Sequence, residues 1–171
     1  YATQTLGEAG LQGRIAYKIP KDTKLGGKYG TDVAFEFSRI HDINKTQIND
    51  TIPIGKSGTL GYTSNFFKLG DELFFQDISL SIGRKVSKKL RIHLEGVHLI
   101  YNVDIIEGHE GGMVYAHVEI LDLTYKLKST KTIKAELQHM TTKQDDGNWA
   151  MGLIEYSIAP KWSLGLSSLY N

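Results

Sequence analysis

Apolar and polar residues alternate along eight stretches of the chain, and this alternation constrains the fold more than any other feature. In the stretch LRIHLE, residues 90–95, every second residue is apolar and the residues between are ionisable. Successive side chains of a β-strand point to opposite faces, so a period of two indicates strands with one apolar and one polar face. The sequence therefore predicts a single all-β domain over residues 1–171 and no second domain.

The connections between these stretches are alternately short and long. Short turns occur in the segments 18–31, 84–91, 126–134 and 159–161, and longer links over 41–72, 102–112 and 141–148. This order is typical of an antiparallel up-and-down meander with all of its tight turns at one end. The segment 41–72 is too long for a plain hairpin, so it is predicted to be a long external loop with a role of its own.

Charge is divided between the two ends of this meander. Lys and Arg number 20 and Asp and Glu 19, so the net charge is close to neutral and no nucleic-acid partner is expected. Fourteen of the 20 basic residues lie in the short-turn segments, whereas the three long links hold nine acidic residues and four lysines. The sequence thus predicts a basic end and an acidic end.

The alternation alone leaves open which face is inside. An eight-stranded barrel has room for little more than its own side chains or one small ligand. The large apolar residues of this chain would overfill such a lumen, so we predict that the apolar face contacts lipid and the polar face lines the interior. The predicted lipid-facing residues are Phe35, Phe37, Leu94, Leu137, Trp162 and Leu164. The predicted lumen-lining residues are Arg14, Glu36, Arg91, His93, Glu95, Lys134, Glu136 and Gln138.

In the stretch 113–128 the apolar residues change parity partway along. Val114 and Val118 share one parity, whereas Leu121 and Leu123 share the other. A β-bulge inserts one residue and restores the face, so the sequence predicts a bulge here, with His117 facing the interior. His98 and His139 fall on the lipid face by parity and are predicted to lie near a membrane interface, where a charge costs less.

The sequence shows no site that points to catalysis or to a cofactor. The turn LGGKYGT, residues 25–31, lacks the spacing of a phosphate-binding loop. Asp104, Glu107, His109 and Glu110 share one loop, but without a defined ligand spacing we interpret it as a solvated acidic loop and predict no metal. No nucleophile stands beside a base, and with no cysteine in the chain thiolate chemistry is excluded. We expect no cofactor and no enzymatic activity.

Two segments resemble a known family. They are GEAGLQGRIAYKIPKDTKLGGKYGTDVAFEFSR, residues 7–39, and FFQDISLSIGRKVSKKLRIHLEGVHLIYN, residues 74–102. Both look like the C-terminal half of an uncharacterised family of Bacteroidota outer-membrane β-barrel proteins, and KLGGKYGT with its Lys-rich hairpin is the most specific part. The resemblance implies a location in the bacterial outer membrane and membership of a larger outer-membrane complex, but no activity.

The sequence therefore predicts an antiparallel up-and-down transmembrane β-barrel with about eight strands visible. Because the first strand would run inward and the last outward, we expect part of a barrel of ten or more strands. A closed eight-stranded barrel with both ends on the long-loop side is the alternative. The expected role is structural or passage-forming, porin-like, with the lipid bilayer, lipopolysaccharide and other outer-membrane proteins as partners. The competing hypothesis is a soluble up-and-down barrel that binds an apolar small ligand.

Overall fold

Eight antiparallel strands form one sheet in the order in which they occur in the chain. The computed structural model describes residues 6–55, 60–144 and 147–171, without the side chains of 66 and 67. The strands are β1 (Glu8–Ile19), β2 (Thr31–Gln47), β3 (Tyr62–Lys85), β4 (Leu90–Asn102), β5 (Met113–Lys126), β6 (Lys131–Thr142), β7 (Trp149–Ile158) and β8 (Trp162–Tyr170), and a short helix α1 (Val103–Ile106) follows β4. The predicted all-β, up-and-down meander is confirmed.

The sheet is open. Hydrogen-bonded neighbours run from β1 to β8 in sequence, and β1 and β8 do not pair with each other in the described part of the chain. Every residue of β8 is exposed, as are most residues of β1. A closed eight-stranded barrel is therefore not what the structure contains.

The short and long connections alternate along the chain, so that the tight turns all lie at one end of the sheet, as the sequence predicts. Short turns join β1 to β2, β3 to β4, β5 to β6 and β7 to β8; we call this side of the sheet the short-turn end and the opposite side the long-loop end. The turn that contains LGGKYGT is closed by a bridge between Thr23 and Gly27, and the Thr31 hydroxyl donates to the Leu25 carbonyl at 2.9 Å. It is a strand-to-strand turn without a helix.

The predicted long loop 41–72 is much shorter in the structure. β2 continues to Gln47 and β3 begins at Tyr62, so only residues 48–61 connect them. Register shifts between Ile40 and Lys45 mark the point where the regular hairpin becomes irregular. The sequence did not reveal these strand extensions because the apolar residues beyond that point, such as Ile43, Phe67 and Leu69, do not alternate regularly with polar ones.

The predicted β-bulge in β5 was wrong. β5 pairs with β4 from Leu90–Tyr125 to Asn102–Met113, and with β6 from Ala116–Thr142 to Lys126–Thr132, without a register shift. His117 therefore lies on the same face as Leu121, not in the interior. The parity change is a true exchange of faces. Near the long-loop end of β5 the apolar side chains lie on one face, and nearer the short-turn end that same face carries polar side chains.

No helix in the described residues is long and apolar enough to span a membrane.

Candidate functional site

The face that carries the predicted lipid-contacting residues is exposed, and we call it the apolar face. Cross-strand pairing puts all six on this one face of the sheet. Phe37 is half-buried, whereas the other five are exposed, from 43% for Phe35 to 69% for Leu164. A contiguous exposed apolar surface of this extent marks an interaction surface, because soluble monomers rarely expose one.

The apolar residues on this face form a belt that crosses the strands obliquely. Residues that are paired from each strand to the next form rows across the sheet. One such row begins at Tyr17 on β1 and ends at Ser168 on β8. On β1 the belt extends to both sides of this row, from Ile19 to Leu11, whereas on β8 it lies on the short-turn side of Ser168, from Leu166 to Trp162, and only Tyr170 is apolar on the other side. Both borders of the belt therefore move toward the short-turn end from β1 to β8.

The slope of this belt can be expressed as an angle. Over the seven lateral steps from β1 to β8, the long-loop border moves by eight residues and the short-turn border by four. With a rise of about 3.3 Å per residue and a spacing of about 4.8 Å between strands, the belt is inclined on average by about 30° from the perpendicular to the strands. Strands of membrane barrels tilt by about 35–45° from the membrane normal, so a flat hydrocarbon slab would contact such strands along a belt of similar slope.

The opposite face, the polar face, carries all eight residues predicted to line a lumen. They lie there in three groups, on β1 and β2, on β4 and on β6. The structure pairs several of them: Arg14 Nε lies 3.2 Å from Glu36 Oε1, and His93 Nε2 lies 3.6 Å from Glu95 Oε2. Arg14 and Glu36 thus neutralise each other on this face.

The strongest ion-pair network on the polar face is centred on Lys134. Its ammonium lies 2.8 Å from Glu136 Oε2 and 3.3 Å from Asp122 Oδ1. Gln138 Nε2 also donates to Glu136 Oε1 at 2.6 Å. Asp122 and Glu136 stand directly opposite each other on β5 and β6, so Lys134 separates two carboxylates that would otherwise repel.

Arg91 and Asp32 pair across an intervening strand. Arg91 Nη2 lies 3.8 Å from Asp32 Oδ2, although β3 separates their strands. Gly83 occupies the position of β3 that is registered with Asp32 and His93, and a Cβ there would lie 3.6 Å from Arg91 Nη2. The missing side chain leaves the space in which the arginine reaches over β3. These residues line an open groove of about 430 Å³.

The polar face is the inner face of the curved sheet, as relative exposure shows. Ala34 and Ser79 on the polar face are 7% and 6% exposed, whereas their chain neighbours Phe35 and Leu80 on the apolar face are 43% and 51% exposed. This difference between neighbouring residues of one strand indicates that the sheet curls around its polar side. The ionisable groups lie inside this curve and the apolar belt lies outside.

Near the long-loop end the inner face becomes apolar over β4–β8, a feature that sequence reasoning missed. Val114 and Ala116 on β5 are almost completely buried, as is Val103 in α1. The link 103–112 is attached to the strand ends by a hydrogen bond from the Val103 N–H to the Gly112 carbonyl, at 2.9 Å. Part of this end of the sheet therefore has a small core of its own.

The acidic loop 103–112 satisfies its own charges. Asp104 Oδ1 accepts hydrogen bonds from the Gly111 and Gly112 N–H groups at 2.7 and 2.9 Å. These bonds, with Gly112 contributing most, lower the pKa of Asp104. His109 Nε2 lies 2.9 Å from Glu107 Oε2. Among the described residues no group of three or more His, Cys, Asp or Glu side chains is placed to hold a metal ion.

The lowered pKa of Asp104 predicts how the loop responds to acid. Its stabilising effect is complete above the ordinary pKa of an aspartate and is lost as the pH falls through the lowered value. Asp104→Ala should speed amide exchange at Gly111 and Gly112 at neutral pH, after correction for intrinsic rates, and should abolish the acid-dependent loss of protection. Hydrogen-exchange mass spectrometry measures both effects. Glu110→Ala removes a carboxylate of the same loop and should change neither; equal exchange in D104A and the parent chain would refute this role.

Comparison with known proteins gives one match. Residues 1–171 match DUF6029, a family of unknown function, and the chain belongs to that family. No curated protein and no solved structure matches it.

Proposed function

We propose that this member of DUF6029 forms the wall of a β-barrel in the bacterial outer membrane, with a structural or passage-forming role and no catalytic one. The apolar belt contacts hydrocarbon and the polar face lines the interior. The observation that carries this proposal is the oblique belt, whose two borders both move toward the short-turn end and whose mean slope is close to the strand tilt of membrane barrels. A water-exposed surface has no reason to place its apolar residues along such a line.

The open edges of the sheet indicate how the wall is completed. β1 and β8 expose backbone N–H and C=O groups along their outer edges, and each such group left unpaired in hydrocarbon costs several kcal/mol. We infer that further strands pair with both edges, so that the eight strands are a segment of a larger barrel. These strands belong to the same protein or to a partner in an outer-membrane complex.

Charge and chain direction suggest the orientation. Outer-membrane barrels have short turns on the periplasmic side and longer loops outside. The basic short-turn end would then face the periplasm, and the long-loop end, with the acidic loop 103–112 and residues 48–61, would face the exterior. The lipopolysaccharide leaflet and other outer-membrane proteins are the proposed partners at that side, in agreement with the resemblance to Bacteroidota outer-membrane barrels.

The competing function, a soluble barrel that binds an apolar ligand, requires the apolar face to be enclosed. The exposed positions of Leu80, Leu94 and Leu164 on the outer face favour the membrane. A ligand carrier would show the opposite distribution of burial.

Detergent dependence tests the proposal. We expect the chain to fractionate with membranes, to resist extraction by alkaline carbonate, and to stay monodisperse only in detergent. Recovery as a monodisperse protein without detergent would overturn the proposal. Planar-bilayer recording then separates the two roles, because a passage conducts ions and a scaffold does not.

A further inference from the structure

An open pocket lies at the long-loop end of β5 and β6, beyond the apolar belt. Its volume is about 460 Å³. Two residues come from β5, two from β6, and three from the link to β7; they are Tyr115, His117, Thr141, Thr142, Lys143, Gln144 and Asn148. Register places His117 and Thr141 opposite each other on the outer face, which also carries the belt.

Hydrogen bonds fix the orientation of the two carboxamides in this pocket, those of Asn148 and Gln144. They occupy the carboxamide oxygens and leave the nitrogens available. Asn148 Oδ1 accepts from the Thr142 N–H at 3.0 Å. Gln144 Oε1 accepts from the Thr142 hydroxyl at 3.1 Å and from the Tyr115 N–H at 3.4 Å. A backbone N–H can only donate, so these contacts determine which atom of each carboxamide is the oxygen. What each side chain retains for a ligand is its NH₂ group, a donor.

The other side chains of the pocket add donors and positive charge. Lys143 brings an ammonium, His117 an imidazole and Thr141 a hydroxyl. The described residues that line the pocket include no carboxylate. A phosphoryl group has the complementary chemistry, because it carries negative charge and several strong acceptor oxygens.

The position of the pocket indicates where such a group comes from. His117 lies four residues beyond Leu121, the last apolar belt residue of β5. The hydrocarbon border falls between Leu121 and the charged Glu119, the next residue on this face, so His117 lies about 5–11 Å outside that border along the membrane normal. The headgroup layer that borders the hydrocarbon is about 5–8 Å thick, so a lipid phosphate can reach the pocket. We propose that the pocket binds the phosphoryl group of a lipid headgroup; the lipid source rests on the proposed function, whereas the phosphoryl chemistry does not.

The test compares lipids that differ only in the phosphoryl group. The chain in dodecyl maltoside micelles is titrated with phosphatidic acid and with diacylglycerol of the same acyl chains, and bound lipid is counted by native mass spectrometry. A parallel titration uses inorganic phosphate. We expect binding of phosphatidic acid and not of diacylglycerol.

Asn148→Asp is the decisive variant. It keeps the oxygen that accepts from Thr142 and replaces the donor NH₂ by a negatively charged oxygen, so we expect binding at least about tenfold weaker. Lys143→Gln should weaken binding in the same direction without touching the strand contacts. Gln12→Glu introduces the same change of charge on β1 and should bind like the parent chain. Asp145 and Asp146 follow Gln144 but lie outside the described residues; D145N/D146N should bind at least as tightly.

The outcomes separate the two proposals. Equal binding by N148D and the parent chain, or no binding of either phosphate probe, overturns the pocket. Binding of inorganic phosphate with the same sensitivity to N148D, but not of phosphatidic acid, overturns the lipid source. If the chain proves soluble without detergent, the membrane proposal fails, and the inorganic phosphate titration in buffer still decides the pocket.

Discussion

Leu80→Arg is expected to destabilise the chain in a lipid bilayer by about 2–4 kcal/mol, whereas His139→Arg is expected to cost about 0–1 kcal/mol. Both residues lie in the same register row, on β3 and β6, and both side chains are roughly half-exposed. Leu80 is central in the oblique belt, whereas His139 lies beyond its border and already pairs with Glu119 at 3.3 Å. The two replacements differ only if hydrocarbon contacts the sheet obliquely.

A second row provides a control that the chain itself supplies. Ile154 on β7 shares a row and a face with Arg84 on β3, because that row passes through Ile92, Leu123 and Ala135. The native Arg84 stands in this row on β3, outside the belt, whereas Ile154 stands in the same row on β7, inside the belt. Ile154→Arg should therefore destabilise the chain as much as Leu80→Arg. Urea unfolding in phospholipid vesicles, or the folded fraction after insertion, measures the differences. Costs below about 0.5 kcal/mol for both L80R and I154R, as for exposed sites in water, would contradict a lipid-facing belt.

The strand order could be predicted from the sequence because short and long connections alternate, and the residues that share a face could be predicted because side chains alternate with a period of two. Glu36 and Phe35 differ by one residue and therefore lie on opposite faces, whatever the register. The same logic failed in β5. A change of parity results either from an inserted residue or from a real exchange of environments, and only the pairing of β5 with both neighbours distinguishes them.

The donor pocket could not be predicted for a different reason. Gln144 is held by Tyr115, which is 29 positions earlier in the chain, and no local pattern records this contact. Which end of a carboxamide faces outward depends on a backbone N–H from another strand. Composition alone made the segment around Lys143 look like an acidic loop, since Asp145 and Asp146 dominate its charge.

Lys134→Met is expected to destabilise the chain by about 1–3 kcal/mol, between the values for exposed and for buried ion pairs. The Lys134 side chain is 40% exposed, and its ammonium contacts both Asp122 and Glu136. Without it, the two carboxylates face each other across β5 and β6 with no cation between them, and like charges directly opposite in a sheet are unfavourable. The loss should therefore come mainly from repulsion rather than from a missing attraction.

A second substitution distinguishes these causes. Glu136→Gln in the Lys134→Met background removes one carboxylate and should recover much of the lost stability, while Glu136→Gln alone should be destabilising. Lys131→Met provides the control, because Lys131 is on the same strand and forms no ion pair with the described residues. Urea unfolding midpoints in micelles measure all four variants. If the double variant is no more stable than Lys134→Met, repulsion between Asp122 and Glu136 is not what Lys134 relieves. If the polar face lines an ion passage, Lys134→Met should also shift the reversal potential toward cation selectivity, because it leaves that wall more negative.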